Sequence, residues 1–305
     1  MSRPLRPIAL YLPNLSGGGA EKTTLTLAIE LAERGYPVDL VLARKRGPYL
    51  AHVPPTIRIV ELGKASHLAG RFNVLRAFPF DAILALRSGM WRRRSVPQIR
   101  ALPSLARYLK RSQPAILMTH MWYCSLVGLW ARSVAGSTCR VMTVEHNMLS
   151  QDAQKNQSRA VRSPAFCVML AQLYARADAH IAVSDGVADD LADKIGLRRA
   201  SIQTIYNPVV HANSTPQNTE RPSHRFFEPG EPPVLLAVGR LHTQKDYTTL
   251  IDAFAQIREG LTARLIILGE GPERNTLTEY ITTRGVETDV DLPGWVDTPE
   301  AFMAH

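Results

Sequence analysis

The sequence predicts an α/β protein with parallel sheets, arranged as two domains. Short runs rich in Val, Ile and Leu alternate with helical patterns along the 305 residues, an order typical of βαβ units. Residues 207–233 interrupt this alternation with a stretch rich in Pro, Ser, Thr, Asn and Gln, which is the composition of a linker. We therefore expect an N-terminal domain over residues 1–206 and a shorter C-terminal domain over residues 234–305.

Each predicted element follows from hydrophobic periodicity and from the residues that interrupt it. Residues 8–12 form the first apolar run, a helical stripe follows, and Gly35 ends that helix. Helices are also expected around residues 105–109 and at residues 248–258 and 273–283. Further strands are expected at residues 38–42, 57–60, 82–86, 115–119, 141–144, 180–183, 202–206, 234–238 and 265–268. The alternation of strand and helix predicts parallel sheets.

The charge distribution is one-sided within the first domain. The net charge is +9, and no Asp or Glu occurs between Asp81 and Glu145. The basic residues of this segment are Arg87, Arg92, Arg93, Arg94, Arg100, Arg107, Lys110, Arg111, Arg132 and Arg140. Such a block favours an anionic partner: lipid headgroups, a phosphorylated substrate or nucleic acid. The sequence shows no RNA-binding signature or helix-turn-helix pattern, so no nucleic-acid partner is expected.

A glycine loop follows the first strand. The segment SGGGAEKT begins at Ser16 and contains Gly17, Gly18 and Gly19. These glycines allow the backbone to approach a ligand closely, and the helix that follows offers free N–H groups to an anion. The P-loop pattern fails because a glutamate precedes the lysine, and the dinucleotide fingerprint fails because its last glycine is missing. A tight turn that binds nothing explains the loop equally well.

A pair of cations follows the strand expected at residues 234–238. The segment GRLHTQKD begins at Gly239 and contains Arg240 and Lys245. Ligands of open α/β sheets bind at the carboxyl ends of strands. Two cations there would clamp a diphosphate and neutralise the charge that develops on a leaving nucleotide. An isolated pair of this kind is more often part of a solvated loop.

Motifs spread over the whole chain resemble those of one family. The C-terminal part contains three segments that resemble consecutive segments of the donor domain of family 4 glycosyltransferases. They are residues 237–257 (AVGRLHTQKDYTTLIDAFAQI), 265–273 (LIILGEGPE) and 292–305 (LPGWVDTPEAFMAH). In the N-terminal part, SGGGAEK matches that family's glycine loop. TVEHN at residues 143–147 matches the segment that carries the family's loop histidine, and AVSDGVADDL at residues 182–191 matches a further segment common in the family. The chain is therefore similar to a family 4-type glycosyltransferase of the GT-B kind.

The resemblance implies a GT-B fold, with two Rossmann-like domains that face each other across a cleft and a second domain that is incomplete here. It implies that Arg240 and Lys245 hold the donor diphosphate and that His146 contacts the transferred sugar. His120 is expected at the same sheet edge, with a weaker claim to substrate contact. The expected catalytic residues are His146, Arg240 and Lys245, and the expected donor-binding residues are Gly17, Gly18, Gly19, Gly239, Arg240, Lys245 and Gly271.

The implied reaction is a retaining transfer from a UDP- or GDP-sugar to an anionic lipid-linked or polysaccharide acceptor, in bacterial cell-surface glycan assembly. No cofactor and no metal ion are expected, because the nucleotide-diphosphate sugar is a co-substrate and no Asp-x-Asp motif stands in the expected place. The expected location is the cytoplasm, with peripheral contact at the inner face of the cytoplasmic membrane. Trp91, Trp122 and Trp130 are candidates for that interface, or equally for the core.

One departure from the family pattern leaves alternatives open. The family's E-x7-E motif, whose glutamates bind the donor sugar and ribose, should follow Phe302, and the sequence ends at His305. One alternative is an inactive truncated chain. Another is a sugar-nucleotide epimerase of the same architecture, which would bind the same diphosphate and need no separate acceptor. A nicotinamide-dependent dehydrogenase is disfavoured by the failed fingerprint.

Overall fold

The structure is a computed structural model that describes residues 5–63, 65–91, 97–151, 162–208 and 220–305. The chain divides into two units, Met1–Val209 and Val210–His305. Arg92, Arg93 and Arg94 of the basic segment lie outside the described residues, and so do residues 209–219 of the predicted linker.

The first unit is built on seven parallel strands. They are β1 (Ile8–Leu12), β2 (Val38–Leu42), β3 (Arg58–Glu61), β4 (Ile116–His120), β5 (Arg140–Glu145), β6 (Ala179–Ala182) and β7 (Ile202–Thr204). Their spatial order is β3-β2-β1-β4-β5-β6-β7. Ile8 of β1 pairs with Val38 on one side and with Ile116 on the other. The strand order therefore reverses between β1 and β4, which is where open parallel sheets bind ligands.

Helices cover both faces of this sheet. They are α1 (Gly19–Glu33), α2 (His67–Ala77), α3 (Pro79–Arg87), α4 (Leu102–Ser112), α5 (Trp122–Ala135), α6 (Pro164–Tyr174) and α7 (Asp185–Ile195). Successive side chains of a strand point to opposite faces. Ala9 and Tyr11 accordingly pack in a core with α2 to α7, whereas Leu10 and Leu12 pack in a second core with α1. Burial on both faces explains why β1 is apolar throughout.

The second unit contains a smaller parallel sheet. Its strands are β8 (Val234–Val238), β9 (Arg264–Leu268) and β10 (Val290–Gly294), in the spatial order β10-β9-β8. Its helices are α8 (Tyr247–Arg258), α9 (Arg274–Thr283) and α10 (Pro299–Met303). Ile251 of α8 and Leu277 of α9 are buried in one cluster with Leu265 of β9. The predicted α/β class with parallel sheets is confirmed, and most strands lie within two residues of their expected bounds.

The strand expected at residues 82–86 is wrong, because these residues belong to helix α3. Pro79 stands in the first turn of that helix, where its missing N–H costs nothing. Asp81 is buried and accepts a hydrogen bond from Trp130 Nε1 at 3.0 Å. A five-residue apolar run cannot be assigned by periodicity alone. The preceding proline was the signal that favoured a helix.

An interface role for two of the three tryptophans is also wrong. Trp130 is fully buried and Trp122 nearly so, both within the core of the first unit, and Trp91 is half-buried. Within the described ranges, no helix is both long and apolar enough to cross a bilayer.

The end of the predicted linker is packed onto the second unit. Arg225–Phe227 form a short 3-10 helix, and Phe226 and Phe227 are buried in one cluster with Ile266 and Leu268 of β9. His224 Nε2 lies 2.7 Å from Asp291 Oδ2. The domain bounds drawn from the sequence stay a prediction.

Candidate functional site

The glycine loop of the first unit joins the carboxyl end of β1 to α1. Gly17 has φ +93°, in the left-handed region that favours glycine. Gly18 is the N-cap of α1, and a Cβ at this position would collide with the Glu21 carboxylate. A Cβ on Gly19 would meet nothing within 4 Å. The local fold therefore requires glycine at position 17, while position 19 is open on the side where a Cβ would stand.

Two histidines meet at the carboxyl ends of β4 and β5, the strands next to β1. His120 is the last residue of β4, and His146 follows directly after β5. His120 Nδ1 lies 3.1 Å from His146 Nε2, and the two rings stack with centroids 5.4 Å apart. Thr24 of α1 brings a third polar group, because its Oγ1 lies 3.0 Å from His120 Nδ1. The sequence placed His120 and His146 at one edge, but it did not indicate Thr24.

Both histidines are neutral near pH 7. Burial lowers the pKa of His146 to about 4. Burial, and to a lesser extent the neighbouring His146, lowers the pKa of His120 well below its usual range. Desolvation disfavours the charged form of an imidazole, which accounts for both shifts. Each ring therefore carries one proton, and the position of that proton decides what His146 offers to a ligand.

The proton positions follow from the neighbouring groups. Thr24 Oγ1 lies 2.7 Å from the carbonyl oxygen of Ala20, which only accepts, so the hydroxyl donates its one proton there. Thr24 Oγ1 then accepts from His120, which places the His120 proton on Nδ1, and His146 Nε2 shares this one proton as a second acceptor of a bifurcated hydrogen bond. Neutral His146 consequently carries its proton on Nδ1. In this tautomer His120 Nε2 carries no proton. That atom is buried and has no hydrogen-bond partner within the described residues.

A buried polar chain anchors the end of β5 from which His146 projects. Glu145 is 3% exposed, and its Oε1 accepts hydrogen bonds from Ser125 Oγ at 3.1 Å and from the Tyr174 hydroxyl. Thr119 Oγ1 donates to Ser125 Oγ at 3.0 Å and so extends the chain to β4. A buried carboxylate is retained in a core only when it is hydrogen-bonded. This network holds the backbone that carries His146, and its one sign in the sequence is the Glu that precedes the histidine.

In the second unit, the loops after β8, β9 and β10 interlock through main-chain atoms. Leu241 N donates to Glu270 O at 3.0 Å, and Gly269 N donates to Gly294 O at 2.7 Å. A Cβ on Gly271 would collide with the carbonyl of Leu241, and a Cβ on Gly269 would collide with the carbonyl of Gly239. Glycine at position 271 is therefore required for the close approach of two backbones.

Arg240 and Lys245 are exposed on the first of these loops. Within the part of the chain that the structure describes, neither cation makes an ion pair or a side-chain hydrogen bond. Gly239 lies against the stem of Lys245, since a Cβ there would stand 3.2 Å from Lys245 Cε. Four other arginines of this unit differ in that they pair with carboxylates: Arg258 with Asp289, Arg264 with Asp289 and Glu231, Arg274 with Glu270, and Arg284 with Asp252. The charges of Arg240 and Lys245 are thus available to an anionic ligand.

The predicted site residues fall into two groups. His146 and the glycines at positions 17, 18 and 19 lie at the carboxyl edge of the first sheet, and Gly239, Arg240, Lys245 and Gly271 lie at the carboxyl edge of the second. Within the described ranges, no three His, Cys, Asp or Glu side chains come together in a way that would hold a metal ion. A cavity of about 680 Å³ in the second unit lies elsewhere, and its lining includes Phe226 and Phe302.

The two α/β units with parallel sheets have the architecture of solved GT-B glycosyltransferases. Residues 17–213 match the family model described as Glycosyltransferase Family 4, and residues 218–305 match the model described as Glycosyl transferases group 1. The chain therefore belongs to glycosyltransferase family 4. The predicted family, fold and enzyme class are confirmed.

Individual relatives agree with this assignment. One is the N-acetylgalactosamine-N,N'-diacetylbacillosaminyl-diphospho-undecaprenol 4-alpha-N-acetylgalactosaminyltransferase of Campylobacter jejuni, 24% identical over 98% of this chain and 72% of that protein. Another is the lipopolysaccharide 1,6-galactosyltransferase of Salmonella typhimurium, 26% identical over 64% of this chain and 48% of that protein. Among solved structures, Anabaena HepE in complex with UDP-glucose shares the fold with a TM-score of 0.71, at 18% identity over 98% of this chain and 71% of that one.

Proposed function

We propose that this enzyme transfers a hexosyl group, with retention, from a UDP- or GDP-sugar to a lipid-linked or lipopolysaccharide acceptor in bacterial cell-surface glycan assembly. The observation that carries the proposal is the pair of unpaired cations, Arg240 and Lys245, at the carboxyl end of β8. Family membership supplies the reaction class, and the exposed cations supply the charge that a nucleotide diphosphate requires.

The two cations would act on the leaving group. As the glycosidic bond to the diphosphate breaks, negative charge grows on the phosphate oxygens, and a cation held nearby stabilises that charge. Hydrogen bonds to charged groups contribute about 1.5–3 kcal/mol each. Arg240 suits a bidentate contact with phosphate, whereas Lys245 acts as a point charge. In this proposal the diphosphate needs neither a metal ion nor a cofactor.

His146 would contact the sugar that is transferred. Its Nε2 is engaged by His120 Nδ1, so Nδ1–H is the group left for a ligand. A neutral imidazole donor of this kind orients a sugar oxygen without placing a second full charge in the site. The glycine loop that begins at Gly17 would line the same part of the site. Retention is carried by family membership and is part of the proposal.

The acceptor assignment is supported by the two relatives. The Campylobacter jejuni protein is named for a diphospho-undecaprenol acceptor, and the Salmonella typhimurium protein for lipopolysaccharide. An enzyme acting on such acceptors from the cytoplasm would contact the inner face of the cytoplasmic membrane. That location and that peripheral contact form part of the proposal.

The test is a product analysis with defined substrates. The protein is incubated with UDP- and GDP-hexoses, with and without an undecaprenyl-diphosphate-linked saccharide, and the products are separated and identified by mass spectrometry. We expect a saccharide extended by one hexose, with an anomeric configuration by NMR that matches the donor. A modified donor sugar formed without acceptor would favour the epimerase instead. Absence of any product with every donor would contradict the proposed transfer for this chain.

A further inference from the structure

Helices α2 and α3 present an unusual apolar surface. Large hydrophobic side chains on a helix of a soluble protein normally face the core. Six of them are instead more than half exposed on these two adjacent helices: Leu68 (74%), Phe72 (62%), Leu75 (52%), Phe80 (57%), Ile83 (52%) and Leu86 (65%). We call these six residues the α2–α3 surface. Clusters of exposed apolar side chains on neighbouring helices are typical of sites of interaction.

The positions of these residues along α2 show that they form an apolar face separate from the face that packs on the core. On α2, Leu68, Phe72 and Leu75 follow one another at intervals of four and three, so they share one side of the helix. The opposite side is already packed, since Val74 is buried in the core of the first unit and a Cβ on Gly70 would collide with the backbone of Ile99. The α2–α3 surface therefore has no structural role within the described residues.

Its electrostatic character is basic. Arg76 and Arg87 are exposed on the same two helices. Over residues 65–91 the one carboxylate is Asp81, which is buried, hydrogen-bonded to Trp130 and 3.4 Å from Arg176. Apolar side chains flanked by arginines, with no exposed acid among them, match the chemistry of a bilayer with anionic headgroups.

A second copy of the chain fits this surface less well. In a two-fold contact, the same patch of both copies would meet, so the basic patch that carries Arg76 and Arg87 would face an equally basic patch. Like charges across an interface oppose association. The charge pattern therefore favours an anionic lipid surface over self-association.

We propose that the α2–α3 surface docks the enzyme on anionic bilayers, with the six apolar side chains entering the headgroup region and the arginines contacting lipid phosphates. The inference deepens the proposed function, on which it rests for its purpose, because docking would bring the enzyme to a lipid-linked acceptor. It also corrects the membrane surface expected from the sequence, since Trp122 and Trp130 lie in the core.

The experiment compares three forms of the 305-residue chain: the native sequence, the variant Phe72→Gln/Leu86→Gln, and the control Ile257→Gln/Leu261→Gln. The control replaces two exposed apolar residues of the second unit. Each form is co-sedimented with vesicles of phosphatidylcholine, with and without phosphatidylglycerol, and its fold is checked by circular dichroism. Glutamine preserves helix propensity while removing apolar area.

We expect the native chain and the control to bind the phosphatidylglycerol vesicles, more weakly at high salt and on neutral vesicles. The α2–α3 variant should bind at least about 10-fold more weakly, because two large apolar side chains no longer enter the bilayer. Equal binding by the variant and the native chain would overturn the proposal, as would binding that ignores lipid charge or an absence of binding by the native chain. A native dimer that the variant turns into monomers by size exclusion would assign the surface to a second copy.

Transfer to a water-soluble acceptor analogue separates this proposal from the proposed function. The variant should retain native transfer in the absence of vesicles. If the native chain transfers no sugar, the proposed function fails while the vesicle result still decides whether the surface docks.

Discussion

The Nδ1 atom of His120 lies 3.1 Å from the Nε2 atom of His146, with the two rings inclined by 29°. This contact joins the ends of neighbouring strands, β4 and β5, and it occupies one of the two nitrogens of the predicted catalytic histidine. Thr24 then sets the direction of the hydrogen bond, because its own proton is used on Ala20. His120 and Thr24 are thus positioning residues for His146.

Replacing Thr24 by Val should disturb the tautomer of His146. The substitution removes one of the two acceptors near His120 Nδ1–H and leaves only His146 Nε2, so that Thr24 no longer fixes the direction of the His120–His146 hydrogen bond. We expect kcat/KM for transfer to fall roughly 10-fold, the equivalent of one hydrogen bond. The neighbouring substitution Thr23→Val should change kcat/KM little, because the Thr23 side chain makes no hydrogen bond within the residues that the structure describes. ¹⁵N NMR of the native protein should show the His146 proton on Nδ1, and a proton on Nε2 would refute the assignment.

The stability of the first unit should fall as the pH falls from 6.5 towards 4. His146 has its pKa lowered to about 4 when folded, whereas an unfolded histidine titrates near 6.5. Between these values the unfolded state binds the proton and the folded state does not, so stability increases with pH in this window. Each such histidine contributes a slope of about 1 kcal/mol per pH unit.

The measurement is urea unfolding between pH 5 and pH 7, followed by tryptophan fluorescence, to which Trp91, Trp122 and Trp130 contribute from the first unit. The variant His146→Gln should show a slope smaller by about 1 kcal/mol per pH unit. An unchanged slope would mean that His146 titrates normally in the folded protein.

Removing either exposed cation of the second unit should weaken the reaction. Arg240→Ala and Lys245→Ala each delete a charge-assisted contact worth about 1.5–3 kcal/mol, so kcat/KM for the donor should fall about 10- to 150-fold. The matched control is Arg284→Ala, because Arg284 is paired with Asp252 on the same unit. A loss as large in the control as in the two variants would show that general charge, and not these positions, matters.

Substitution of Gly271 by Ala should destabilise the second unit. The added methyl group would collide with the carbonyl of Leu241, and relief of such overpacking costs about 1–3 kcal/mol. Gly260→Ala is the control, since a Cβ there meets nothing within 4 Å. Amide hydrogen exchange of α8 and β9 should be faster in Gly271→Ala and unchanged in the control. Equal protection in both variants would disprove the close approach.

The sequence predicts the helices and strands that are marked by hydrophobic periodicity and bounded by turn residues. Strands β1, β2 and β8 are found at their expected residues, because a short apolar run bounded by turns has few other solutions in a βαβ order. The run at residues 82–86 satisfied the same rule and is a helix, since its apolar residues are divided between a buried and an exposed side. Short apolar runs carry too little periodic information to separate these cases.

The candidate site residues could be named from the sequence, whereas the groups that hold them in place could not. Arg240, Lys245 and His146 stand next to strand ends and carry recognisable neighbours. Thr24 of α1 contacts His120, which is 96 residues away along the chain. Tyr174 of α6 donates a hydrogen bond to Glu145 at the end of β5. Contacts of this kind depend on how helices pack against the sheet, which a single sequence does not encode in any local pattern.

The interlocked loops of the second unit have a thermodynamic consequence for ligand binding. The backbone on which Arg240 stands is held by main-chain hydrogen bonds from Leu241 to Glu270 and from Glu273 to Leu241. The conformational entropy of this loop is therefore lost when the protein folds and not when a ligand arrives. The diphosphate of the proposed donor would then have only side chains to immobilise, so most of its contact energy with the loop would remain as affinity.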